Sequence, residues 1–154
     1  MDRETLLRLY PLPEPTTTFI LTPAPGTTWG MTADTFLDAL RRRQGGEAEI
    51  QTHADGGPSD KHGWWFGFTV GDVGHDGAGS SCLGGNEGVS IFKTTVDVAA
   101  EFAAWVCAEL VPDGAAVDFN SRVGMEAGLP DELLTARTVQ DLEAVFREHI
   151  ENAA

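Results

Sequence analysis

Basic residues are scarce in this chain. Ten Lys plus Arg stand against 24 Asp plus Glu, for a formal net charge of −14 over 154 residues. The imbalance is steepest in the middle, where residues 44–121 hold twelve acids and only two bases, Lys61 and Lys93. A surface so poor in positive charge repels nucleic acid and anionic membrane, and it attracts basic proteins at raised association rates. Long apolar runs are missing too. No stretch approaches eighteen consecutive apolar residues, which excludes a membrane-spanning helix. The first ten residues carry acids where a secretion signal needs bases, and they lack its apolar core. Cysteine is limited to Cys82 and Cys107, which read as free thiols of a cytoplasmic protein. The use of Arg over Lys, with abundant Ala and Gly, suggests a bacterial source with a GC-rich genome.

What remains is the composition of a folded domain. The hydrophobic share is 42%, with four Trp and eight Phe, so the acidity does not signal disorder. Residues 1–15 close on Pro11-Leu12-Pro13-Glu14-Pro15 and form an N-terminal arm, with room for a short helix before the prolines. Residues 16–154 form one domain. The β-branched run Thr16–Leu21 predicts a strand. A helix follows, capped by Thr32, striped by Phe36, Leu37 and Leu40, and ended by Gly45 and Gly46. Arg41, Arg42 and Arg43 crowd its last turn, where cations suit the helix dipole better than they suit a nucleic-acid patch.

Short strands are expected at 48–52, 63–70, 89–93 and 116–120. In the second of these, Trp64, Phe66, Phe68 and Val70 share one face at period two, which leaves Trp65, Gly67 and Thr69 on the other. A helix over 96–110 buries Val98, Phe102, Trp105, Val106 and Leu110, with Thr94 and Asp97 spaced as its cap pair. A last helix starts at the Thr138 and Asp141 pair and carries Arg147 and His149 in its later turns. Between them, 121–137 suggests only a short edge strand near Val123–Met125. Short links between the middle strands favour antiparallel pairing. The fold class is therefore α+β: two layers, a mostly antiparallel sheet of about five strands with helices packed on one face.

Catalytic signatures are absent. The stretch Gly71–Gly88 holds seven glycines and reads as a long loop, but it has no Gly-Lys-Ser/Thr, and Asp72, Asp76 and Glu87 make it hostile to phosphate. His75 and Cys82 in that stretch are the residues a small enzyme would use, although acidic surroundings oppose a thiolate. His53, Asp55, Asp60 and His62, with His75 and Asp76, supply metal-ligand types without a metal-ligand spacing. No cofactor and no metal is expected. Trp65 points away from the core face, so it is either an exposed anchor or is covered by the arm or by Trp29.

The expected site is thus a protein-contact surface made of Asp55, Asp60, Trp65, Asp72, Asp76 and Glu87. The run Ala100-Glu101-Phe102-Ala103-Ala104-Trp105, followed by Val111-Pro112 and Val117-Asp118-Phe119, resembles the small acidic immunity proteins of bacterial toxin systems. That resemblance implies a cytoplasmic α+β protein that neutralises a basic toxin, often a nuclease, by covering its active cleft. It assigns no role to individual residues. Two other readings stand beside it: an enzyme built on residues 71–88, and a homo-oligomeric subunit paired through an edge strand or the Trp65 face.

Overall fold

Hydrogen-bonded pairing orders seven antiparallel strands in the computed structural model, which describes residues 2–10, 14–52 and 62–154. The strands are β1 (Thr17–Pro23), β2 (Ile50–Thr52), β3 (Gly63–Val70), β4 (Val73–Ser80), β5 (Gly88–Thr94), β6 (Val117–Ser121) and β7 (Glu132–Leu133), in the spatial order β2-β3-β4-β5-β1-β6-β7. Among the described residues five α-helices accompany them: α1 (Arg3–Leu9), α2 (Ala33–Gln44), α3 (Val96–Glu109), α4 (Arg122–Glu126) and α5 (Val139–Ala153). The α+β class is as expected. The sheet has seven strands rather than five.

The first added strand is β4, and it corrects the reading of 71–88 as a loop. Val73–Ser80 pairs along its whole length with β3, and the chain reverses through Gly71 and Asp72. Glycine density suggested a loop because glycine usually weakens strands. Here Gly77 and Gly79 are slots. A Cβ on Gly77 would run into the Phe66 ring, and one on Gly79 would stand 2.7 Å from Nε1 of Trp64. The large rings of β3 lie over the bare backbone of β4, so the packing requires glycine. Only the 3₁₀ turn Cys82–Gly84 and the residues around it join β4 to β5.

The second added strand is β7, and it moves the expected edge. Val123–Met125 lies within α4, capped by Ser121, while the edge strand falls at Glu132–Leu133. Helix α3 is capped by Thr95 rather than Thr94. Its hydroxyl bonds the Asp97 carboxylate instead of a backbone N–H, and Thr94 is the buried last residue of β5. The other two caps are as read. Thr32 forms a capping box with Thr35, and Thr138 accepts from the Asp141 N–H.

Core side chains come from one parity of each long strand. Paired rows run Phe66–Gly77–Ile91–Phe19 and Trp64–Gly79–Val89–Leu21–Phe119 across the sheet. Phe36 of α2 meets Trp64 and Phe66, Phe102 and Trp105 of α3 meet Phe68, and Phe146 of α5 meets Phe19 and Phe119. Such aromatic contacts add about 0.5–1.5 kcal/mol each beyond area burial. The three arginines ending α2 are structural. Arg41 bonds the Ala48 carbonyl, Arg42 pairs with Glu109, and Arg43 pairs with Glu101 while its guanidinium sits 4.1 Å from the Phe68 ring centroid. Gly45 caps the helix at φ 107°, where a side chain would be strained.

Candidate functional site

Strand parity that buries Trp64, Phe66 and Phe68 sends Trp65, Gly67 and Thr69 to the opposite face of the sheet. One row on that face runs Gln51–Trp65–Ala78–Ser90–Ile20–Asn120 through five successive strand pairings. Two residues along, Gly67 pairs with Asp76, and Thr18 and Phe92 of the neighbouring strands line a groove with Arg122 and Met125 of α4. Trp65 and Phe92 are each 37% exposed, and Met125 of α4 is more so.

Two depressions mark this face. A groove of about 610 Å³ is lined by Thr18, Ile20, Phe92 and Met125, with Asp76 on one flank and Lys93 and Arg122 on the other. A cleft of about 310 Å³ is lined by Trp65 together with Glu49, Gln51, Gly67 and Asp76. Lys93 adopts φ 50°, unusual for a side-chain-bearing residue, and its N–H donates to the Thr18 hydroxyl at 3.3 Å beside an irregularity in β1. The face therefore combines aromatic and aliphatic surface with acids at one end and bases at the other.

The structure places the expected contact residues unevenly. Trp65 and Asp76 lie together on this face, and Asp72 is exposed in the turn between β3 and β4. Trp29 does not cover Trp65: it belongs to the buried core, and its indole N–H donates to the Ala116 carbonyl. Glu87 is engaged internally. Its carboxylate accepts from the Trp29 N–H at 3.0 Å, the Met31 N–H at 2.8 Å and the Thr28 hydroxyl at 2.5 Å, tying the segment before α2 to the start of β5. Asp55 and Asp60, with His53, lie outside the described residues.

The residues considered for chemistry do not converge. His75 pairs opposite Phe68 and lines the groove with Asp76, but among the described residues no third His, Cys, Asp or Glu joins them in a group that could hold a metal ion. Cys82 follows the far end of β4, about 20 Å from His75 along an extended strand. Both cysteines are free and half-buried. Burial pushes the Cys107 thiol up, opposite to what a nucleophile needs. The Thr95 hydroxyl holds the Asp97 carboxyl below the usual range, which is a helix-start effect and not a site.

One constellation escaped the sequence. Ser121 Oγ and His149 Nε2 lie 2.7 Å apart, and Glu132 Oε2 stands 3.5 Å from His149 Nδ1. The residue types are those of an acyl-transfer triad. Ser121 is 0% and His149 1% exposed, so a substrate has no surface to meet. Ser121 also caps α4 by accepting from the Gly124 N–H at 3.0 Å, and Gly124 leaves the space the imidazole occupies. Neighbouring Asn120 accepts from the Ser121 N–H and donates to the Leu129 carbonyl and to Asp131. This network anchors α5 to the β6–α4 junction. His149 is thus a core residue of the later turns of α5. The available signal was its place three residues after Phe146, on the apolar side of the helix.

The chain matches no protein-family model, no curated protein and no solved structure in any of the three comparisons.

Proposed function

We propose that this protein is an acidic protein-binding module that docks a basic protein on the sheet face carrying Trp65, in the manner of small immunity proteins that neutralise a toxin in the cytoplasm. The proposal takes the domain as two layers with α2, α3 and α5 on the core side, leaving the Trp65 face, bordered by α4, for a partner. A single observation carries it. Trp65 shares one cleft with the acidic side chains Glu49 and Asp76, on the face away from the core. An aromatic anchor flanked by carboxylates suits a Lys or Arg side chain, through cation–π attraction and charge pairing together. The net charge of −14 steers such a partner inward over a longer range.

The test begins with capture from the source cell at low salt and continues with the purified partner. Trp65→Ala should weaken the complex by about 2 kcal/mol or more, roughly thirtyfold. Asp76→Asn should chiefly slow association, and added salt should slow it further. Glu148→Gln, on the exposed side of α5, should change little. Failure to recover a basic partner, or a complex indifferent to Trp65→Ala, would overturn the reading.

A further inference from the structure

We propose that the groove over β4, β5 and β1 is a binding site for a small amphipathic carboxylate. Lys93 and Arg122 hold its anionic head, and Ile20, Phe92 and Met125 cover its apolar body. Such a ligand is opposite in sign to a basic protein and uses the basic flank of the face, so its binding does not rest on the docking reading.

Charge points to an anion. Of the described residues that line the groove, two are bases, Lys93 and Arg122, and one, Asp76, is an acid. This reverses the sign of the chain, in which 24 acids face ten bases and residues 44–121 hold Lys61 as the only other base. Arg42, Arg43 and Arg147 are each paired with a carboxylate, whereas Lys93 forms no ion pair among the described residues. Arg122 is bridged to Glu126, but both groups are largely exposed, so that pair is weak and open to exchange.

The backbone of Lys93 points the same way. Among the described residues it is the one non-glycine at positive φ, 50°. Glycine is the residue that adopts this conformation without strain, and lysine is not. The register of β1 against β5 shifts here, and the Thr18 hydroxyl takes up the Lys93 N–H. Breaks of this kind in a ladder re-aim a side chain, and strained residues gather at ligand sites.

The floor selects a small molecule over a peptide. About 610 Å³ falls within the range of small-molecule sites, roughly 300–1,000 Å³. The strands beneath, β4, β5 and β1, each pair on both sides, so they offer no free edge to the amides of a peptide. A hydrocarbon chain or an aromatic ring on Ile20 and Phe92 needs no such partner. The head carries one charge. Arginine matches a carboxylate with two N–H donors, while any further negative charge is repelled by Asp76 and by the net −14.

The experiment titrates octanoate into the isotope-labelled full chain and follows amide shifts by NMR. Saturable shifts are expected at Thr18, Phe92 and Lys93, and octanol should bind at least about tenfold more weakly. Lys93→Gly should weaken octanoate by about tenfold or more while the melting temperature holds or rises, because the strain is relieved as the charge is lost. Lys93→Gln and Arg122→Gln should weaken it to a similar degree. Glu126→Gln should tighten it by about twofold, since it frees Arg122 from a competing carboxylate. No saturable shift at the groove, octanol binding as well as octanoate, or lysine variants that bind like the unaltered chain would each overturn the inference. An acetylated dipeptide ending in leucine that binds more tightly than octanoate would overturn the assignment to a free acid. A basic protein captured through Trp65, with no octanoate bound, would overturn this inference and leave the docking proposal standing.

Discussion

Gly79 of β4 faces Trp64 of β3, and the indole lies so closely over it that an added Cβ would stand 2.7 Å from Nε1. Trp64 is fully buried and also packs against Phe36, so the ring cannot swing away to make room. The glycine and the tryptophan form one packing unit shared by two strands.

Gly79→Ala should therefore destabilise the protein by about 1–3 kcal/mol, the usual cost of overpacking a core. Gly74→Ala, on the same strand with open space around it, should cost well under 1 kcal/mol by the same reasoning. Urea titration of the two variants checks the contrast, and equal losses would contradict it.

Ser121→Ala should cost about 2–3 kcal/mol. It strips the buried His149 Nε2 of its partner and removes the α4 cap together. Glu132→Gln should stay within about 1 kcal/mol, because the Glu132 carboxylate is half in solvent and 3.5 Å away. Denaturant midpoints measure both, and a large loss for Glu132→Gln would promote that contact above the hydroxyl contact.

Glu87→Ala should loosen the segment before α2 rather than any docking surface. Three donors lose one acceptor, at a cost of about 2–3 kcal/mol since the acceptor is charged. Faster amide exchange at Trp29 and Met31, with partner binding retained, is the expected pattern. Protected amides in the variant would show that the carboxylate holds nothing.

Cys107 makes stability fall at alkaline pH. Its thiol is pushed up by burial in the folded chain, so the unfolded chain loses that proton first. The contribution is constant below the unfolded thiol value of about 8.5 and declines as pH rises above it. Cys107→Ala should flatten the alkaline slope of a stability–pH profile relative to the unaltered chain. An unchanged slope would exclude Cys107 as its cause.

Much of the fold was legible because its signals are local. Period-two aromatics in 63–70 marked the inward and outward faces of β3, and Trp65 was rightly separated from Trp64. Thr32, Gly45 and Thr138 marked helix ends through hydrogen bonds that span only a few residues. Residues 73–80 were misread because the reason for their glycines lies on another strand. Glu87 and Asp76 look alike in sequence, yet one is consumed by three internal donors and the other stands on an open face.

By itself, then, the sequence determined the acidity, the caps of α2 and α5 and the parity of β3, since all of these depend on composition or on neighbours along the chain. Only the tertiary structure decided which glycines receive rings, that Ser121 and His149 meet across 28 residues, and that Trp65 shares a cleft with Glu49 and Asp76. Those relationships depend on strand order and register, which are set by how distant segments bury their apolar faces together.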